Sequence, residues 1–386
     1  MWTLRSQAAI VGIGNTTFYK AGQSGRSALD LALDAILRAC EDAGLTPTEI
    51  DGFVTYGTES THPYTLAQTL GINDIQFMDR YVGGGESLAA TIHHAAMAIY
   101  AGVAQTIVSY RSLSGRLVRA NRDITDNGGS RRSFLAPFGA FVPVHYFAMQ
   151  ARRHMIDYGT TSRQFGSYAV VLNDNAQRNP SAVHHGRPIT IEDHQASPMI
   201  SSPYRLYDCT QEADGACAVI VTSAQRGRDL RHDPAYLLGA AEGNGPADQL
   251  YTQFRHQGRF NTAGMEEVAD TLYARAGIGP GDIDVAQVFE TFTGQGLMAL
   301  EDFGFCKRGE GGPFVESGAI SWPRGSLPIN TAGGGLAEAY IHGFNNLVEG
   351  VRQMRGSSTS QVDGAQTCLI TSGPSAMPSS ALILHR

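Results

Sequence analysis
The chain repeats itself once. EDAGLTPTEIDGFVTYG (Glu41–Gly57) is echoed by ARAGIGPGDIDVAQVFE (Ala274–Glu290). In each, a helix end runs into Ala-Gly, an aliphatic residue, a proline, an acid-Ile-Asp step and then a strand. Gly83, Gly84 and Gly85 recur in the same order as Gly333, Gly334 and Gly335, each triplet leading into a helix, the second expected to end at Gly350. So long a period excludes a solenoid, whose units span roughly 20–50 residues. It predicts two related halves, which we place at residues 1–230 and 231–386.

Within the first half, strands and helices alternate. AAIVGIG (Ala8–Gly14) is an apolar run closed by glycine, a buried-strand signal. Gly25–Gly44 then carries helical spacing, with Ser27 as N-cap and Gly44 as terminator. IDGFVTYG and TIVSY (Thr106–Tyr110) are further strands. The helix Leu88–Tyr100 is apolar or small on nearly every side, the pattern of a buried helix. Residues 112–203 are less regular and form an inserted loop region with a helix-like FVPVHYFAMQARRHMIDYG. ACAVIVT (Ala216–Thr222) closes the half. Such alternation is α/β logic.

Several function classes fall away. A formal charge of −7 with no dense Lys/Arg run argues against nucleic acid as a partner. No apolar run is long enough and free enough of polar residues to span a membrane. The opening MWTLRSQAAIVGIG reads as a first strand, not a signal peptide. The cysteines, Cys40, Cys209, Cys217, Cys306 and Cys368, are odd in number and scattered, with no C-x-x-C, which argues against zinc or a disulfide framework and fits a reducing cytoplasm. No metal site is expected. GGGES lacks the dinucleotide fingerprint. HHGRP (His184–Pro188) reads as a surface loop, and His93 and His94 as structural residues of a buried helix.

The glycine-led start at Gly83–Gly85 invites a ligand, because a helix N-terminus presents unpaired N–H groups and a positive dipole end. It carries no strong nucleophile, only Glu86 and Ser87.

YDCTQEADGACAVIV (Tyr207–Val221), LEDFGFCKRGEGGPFVESG (Leu300–Gly318) and LPINTAGGGLAEAYIHGFNNLVEGVRQMRG (Leu327–Gly356), with the element order and the repeat, resemble the thiolase superfamily. More narrowly they resemble its thiolase-like lipid-transfer-protein group, which includes retro-aldolases of bacterial steroid side-chain degradation. The resemblance implies an α/β fold, a five-layered αβαβα sandwich of two pseudo-repeated halves. It places Gly85 at the thiolase nucleophilic cysteine and Ser87 at the serine of that motif. Tyr340 falls on the catalytic histidine. Phe289 and Glu290 fall on the motif's polar residue and acid. The region of the second cysteine, Ser372–Ser380, contains none.

A Claisen thiolase carries its acyl group on a thiolate, and glycine cannot do that. A retro-aldol cleavage needs no carrier. It needs a base for the β-hydroxyl proton and donors for the thioester oxygen. The expected function is therefore an acyl-CoA retro-aldolase, a carbon–carbon lyase. The alternatives are a non-catalytic acyl-CoA-binding subunit and an atypical acyltransferase using Ser87. Tyr340 is the candidate base, with Glu290 and His342 as helpers. Gly85, Ser87, Phe289 and Gly334 are candidate substrate-binding positions, and the bare Gly85 is expected to leave room for a branched β-carbon. Related aldolases use two tyrosines, and Phe289 stands where the second would be. The plainer readings are a packed Tyr340 and a Glu290 that caps a helix or pairs with arginine. His342, two residues from Tyr340, would point elsewhere on a helix but not in a loop. Arg131 and Arg132 lie in the kind of loop that grips CoA phosphates.

The resemblance also implies a homodimer joined by a separately encoded OB-fold, zinc-ribbon acyl-CoA-binding protein in a heterotetramer. No bound cofactor is expected, coenzyme A entering as part of the substrate.

Overall fold
The computed structural model describes residues 2–115, 136–140, 142–243, 265–373 and 379–386. The principal strands are β1 (Ala8–Asn15), β2 (Gly52–Tyr56), β3 (Phe77–Tyr81), β4 (Thr106–Leu113), β5 (Ala213–Ser223), β6 (Ala235–Gly243), β7 (Val285–Gln287), β8 (Thr367–Ser372) and β9 (Ser379–His385). The longer helices are α1 (Ala28–Ala43), α2 (Pro63–Leu70), α3 (Leu88–Tyr100), α4 (Pro143–Tyr158), α5 (Ser162–Ala176), α6 (Met265–Ala276), α7 (Thr293–Asp302) and α8 (Phe344–Arg355).

The same strand path occurs twice. In the first half β1 and β4 flank β5 antiparallel, and β2 lies parallel between β4 and β3. In the second half β6 and β8 flank β9 antiparallel, and β7 is parallel to β8. A parallel bridge from Ala286 to Ile329 stands where β3 stands in the first half. The halves meet in a short antiparallel pairing of β1 with β6. The repeated sequence is thus a repeated topology.

Alternation along the strands builds the layers, since successive side chains face opposite sides. Cys217, Val219 and Val221 of β5 share a core with Leu88 and Ile92 of α3 and Leu347 and Val351 of α8. Ala216, Ala218 and Ile220 face the other way, against Leu31, Ile36 and Ala39 of α1. In β9, Leu382 and Leu384 point to the shared core, while Ala381 and Ile383 meet Val268 and Leu272 of α6. The result is helix, sheet, central helices, sheet, helix. Each large aliphatic side chain buried this way contributes about 1.5–3 kcal/mol. The glycines of β1 allow α1 to lie close: a Cβ at Gly12 or Gly14 would strike the carbonyl of Ala39 or Ala35. The caps of α1 are as expected. Ser27 Oγ accepts from the Asp30 amide at 3.1 Å, and Gly44 ends the helix at φ 74°.

Three expectations change. First, α3 is not buried all round: Met97 and Tyr100 are exposed and His94 is half-buried. Second, within residues 112–203 the helix-like FVPVHYFAMQARRHMIDYG is indeed a helix, α4, and what changes is that a further long helix, α5, follows it. α5 is started by a capping box in which Thr161 and Gln164 bond each other's backbone. It also reaches the second half, where Asn175 Nδ2 donates to the carbonyls of Ile329 and Asn330 at 3.0 and 3.2 Å. Third, the second glycine triplet does not lead into one helix ending at Gly350. A single turn, Gly334–Ala337, is followed by a break, and α8 starts only at Phe344 and stops at Gly356. Tyr340 sits in that break and bridges to Glu212.

Candidate active site
The first glycine turn closes on itself. Glu86 folds back so that Oε1 accepts from the Gly84 amide at 2.9 Å, and it also takes its own backbone N–H. Burial pushes this carboxyl above its ordinary value, and those backbone bonds pull against it. The Ser87 amide bonds the Gly84 carbonyl at 2.9 Å, and the Ala89 amide bonds Ser372 Oγ at 2.8 Å. Much of the anion-stabilising capacity expected of this helix start is therefore met within the protein. Ser87 is fully buried and its hydroxyl donates to the Val82 carbonyl at 2.6 Å.

The space left by the missing side chain at Gly85 is not open. A Cβ there would lie 2.8 Å from Phe289 Cζ and 3.2 Å from His342 Cβ. The Phe289 ring also crowds Gly343, where a Cβ would lie 2.7 Å away. The expected room for a branched β-carbon at Gly85 is thus filled by Phe289, wedged between two glycines.

The second glycine turn cradles Glu290. Asn330 Nδ2 donates to Oε2 at 2.9 Å and the Leu336 amide to Oε1 at 3.1 Å, with a further bond from the Gly335 amide. A Cβ at Gly334, φ 60°, would lie 2.6 Å from both Glu290 Oε1 and Asn330 Nδ2, so only glycine fits. Burial dominates these bonds and pushes the carboxyl up to about 8. Glu290 makes no ion pair with an arginine among the described residues, but it does cap a helix: it accepts the first-turn amides of Gly334–Ala337 and so ties the end of β7 to the turn that carries Tyr340.

Tyr340 Oη lies 3.0 Å from Thr291 Oγ1, and burial raises its pKa. Because the segment is not helical, Tyr340 and His342 meet edge to face, with ring centroids 4.9 Å apart. His342 has φ 49°, a backbone conformation rare for a non-glycine residue. Burial, with the Arg111 cation nearby, pushes its pKa well below the ordinary value, so the ring is neutral. Phe289 and Tyr340 rings lie 6.2 Å apart. The structure therefore gathers Gly85, Phe289, Glu290, Gly334, Tyr340 and His342, while Ser87 is buried with its hydroxyl turned to the Val82 carbonyl.

Sequence reasoning missed Thr291 and Asn330. Thr291 directly follows Glu290 in FETF, and Asn330 stands in the INTAGGG run and adopts φ 45°. Neither residue type announces chemistry without a partner in view.

No described thiol is poised to attack. Burial pushes Cys40, Cys209 and Cys306 up to about 12 and raises Cys217 and Cys368 further. Cys209 donates to the Arg205 carbonyl. Among the described residues no group of His, Cys, Asp or Glu could hold a metal ion. No described helix is long and apolar enough to cross a membrane. His94 is ion-paired within the fold, to Asp79 at 2.7 Å and Glu242 at 3.1 Å. Arg131 and Arg132 lie outside the described residues.

The chain as a whole is similar to known proteins. Residues 250–386 match the family described as thiolase C-terminal domain-like. The chain is 43% identical, over 99% of its length and 100% of the other, to the 17-hydroxy-3-oxo-4-pregnene-20-carboxyl-CoA lyase of Mycobacterium tuberculosis. It is 42% identical to the steroid side-chain-cleaving aldolase of Thermomonospora curvata, covering 100% of this chain and 99% of that one. Among solved structures it resembles an Ltp2-ChsH2(DUF35) aldolase with a TM-score of 0.93 and 41% identity, over 99% of this chain and 98% of that one.

Proposed function
The chain belongs to the thiolase superfamily, and on that premise we propose that it is a carbon–carbon lyase of the retro-aldol type. It cleaves a β-hydroxyacyl-CoA bearing a bulky, steroid-like side chain. The products are a ketone or aldehyde and a shorter acyl-CoA such as propionyl-CoA or acetyl-CoA. One observation carries this: the acyl-carrier position is a glycine packed by Phe289, while a phenol, Tyr340, is held beside it on Thr291 and His342.

The β-hydroxyl proton moves to Tyr340 as the Cα–Cβ pair collapses onto Cα and the thioester carbonyl. In the same event the neutral phenol passes its own proton to Thr291 Oγ1, and the Thr291 hydroxyl releases its proton to Cα of the enolate, so both hydroxyls end neutral and no proton is gained or lost overall. Thr291 takes the relay place that Phe289 leaves vacant. Glu290 holds the turn that brings Tyr340 to Thr291. His342, kept neutral, donates to the thioester oxygen as it gains charge, the role for which the amides of Gly84, Glu86, Ser87 and Ala89 are already engaged. Phe289 and Gly85 form the floor beneath the acyl chain. Ser87 and Gly334 serve the substrate through the turns they shape.

We place the boundary between the halves near residue 230. The working assembly is a homodimer of this chain with an OB-fold, zinc-ribbon acyl-CoA-binding protein in a heterotetramer, in the cytoplasm.

The test is acyl-CoA turnover followed by mass spectrometry, with and without that partner. A β-hydroxyacyl-CoA with a tertiary alcohol is offered without free CoA, and a β-ketoacyl-CoA with it. Ketone plus shortened acyl-CoA from the first alone is the expected result. Thiolysis of the second, or silence on both with the partner present, would sink the proposal.

A further inference from the structure
Three buried polar atoms without a hydrogen-bond partner sit on neighbouring side chains behind the site: Tyr56 Oη, Arg111 Nε and His342 Nδ1. Tyr56 ends β2 and is fully buried. Arg111 stands on β4, the strand paired with β2, and is 1% exposed. Its guanidinium carbon lies 5.3 Å from the centre of the Tyr56 ring. That ring is also stacked against His342, centroids 6.4 Å apart and planes 26° apart. His342 in turn meets Tyr340.

Packing does not explain these atoms. A buried polar group left unpaired costs about 1–3 kcal/mol, and phenylalanine would fill the place of Tyr56 without that cost. Nor can Arg111 swing away to satisfy its Nε. Its Nη1 is fixed by the Thr58 carbonyl at 2.8 Å and Glu59 at 3.2 Å, and the Glu59 carboxylate is itself held by the Thr61 and Ser112 amides at 2.7 Å each. Groups of this kind are ordinarily met by ordered water, which needs two to four polar partners. Arg111 Nε can only donate, and the Tyr56 hydroxyl can do both. Water ordered by such a pair turns a hydrogen toward His342 Nδ1, and the nearby cation disfavours a proton there. A neutral imidazole has one N–H, which is then left on Nε2.

We propose that Tyr56 and Arg111 are positioning residues of the active site, holding ordered water against His342 Nδ1 and thereby fixing His342 as its Nε2–H tautomer. Only the kinetic consequence rests on the lyase assignment. Its molecular consequence is a histidine that always presents the same donor to the thioester oxygen.

The test compares the full-length wild type with Tyr56→Phe and Arg111→Lys, each assembled with the partner protein. Nitrogen-15 spectra of histidine-labelled protein report the tautomer, the His342 signal being assigned by its loss in His342→Gln. The wild type is expected to show the Nε2–H form alone. Tyr56→Phe is expected to show a mixture, a melting temperature equal to or above wild type, and kcat about tenfold lower with KM within twofold. Arg111→Lys, which keeps the charge but loses Nε, should shift the tautomer in the same direction. An unchanged His342 signal in both variants overturns the proposal, whatever happens to kcat. A shifted signal in a protein whose wild type cleaves no β-hydroxyacyl-CoA upholds it while overturning the lyase assignment.

Discussion
Phe289 occupies the space that a side chain at Gly85 would need: its Cζ lies 2.8 Å from the position of a Cβ there. The two residues are therefore coupled, and the loss of a nucleophile at one cannot be undone without the other. Gly85→Cys alone is expected to lower stability by about 1–3 kcal/mol through overpacking and to yield no thiolysis. Adding Phe289→Ala should recover part of that loss. Thermal melts of the single and double variants check the coupling, and equal melting temperatures for wild type and Gly85→Cys would refute it.

Tyr340→Phe should lower kcat by more than about 100-fold, the low end for general acid–base catalysis, while the melting temperature stays near wild type. Thr291→Val removes the bonded hydroxyl and should cost less, about tenfold, as expected for one hydrogen bond. Steady-state turnover of the β-hydroxyacyl-CoA measures both. Near-wild-type turnover in Tyr340→Phe would remove it from the mechanism.

Glu290 gives the fold a pH signature. Its folded-state pKa is pushed from 4.5 up to about 8, so the folded state holds the proton more tightly than the unfolded one. That contribution to stability is complete below about 4.5 and is lost as pH rises to about 8. Glu338, pushed up to about 7 by burial, acts in the same direction. Urea unfolding of Glu290→Gln should show a shallower loss across this window than wild type. An identical pH profile would contradict the burial argument.

His94 acts in the neighbouring window. Its bonds to Asp79 and Glu242 raise it from 6.5 to about 9. The stability it contributes is full below 6.5 and lost as pH rises through 9. His94→Gln should lower stability at pH 6 by about 1.5–3 kcal/mol, the range for bonds to charged partners. It should also flatten the decline between pH 6.5 and 9. Melts at pH 6 and pH 9 distinguish the two proteins.

The thiols should be chemically quiet. With Cys209 and Cys306 pushed up to about 12, iodoacetamide at pH 8 should label the native protein slowly. Whatever labelling occurs should leave turnover intact. Rapid inactivation traced by peptide mass to one cysteine would restore a thiol mechanism.

The sequence by itself determined the doubled α/β plan. The echo of Glu41–Gly57 in Ala274–Glu290 became one strand path used twice, because local pattern and turn chemistry dictate which segments become strands and helices. It also determined what the chain lacks, since a missing thiol at Gly85 needs no coordinates to be seen. Tertiary structure decided how the remaining groups meet. Whether Tyr340 and His342 share a face depended on a helix breaking at Glu338–Gly343, where Glu338 is held by Asn179 and Asn345, which come from outside that segment. That Gly85 opens no pocket depended on Phe289, far away in sequence. That Thr291, Asn330, Tyr56 and Arg111 lie beside these groups depended on tertiary packing. A hydroxyl, an amide or a guanidinium carries no signal along the chain; its consequence appears only when neighbours from other strands remove the water around it and leave a particular partner, or none.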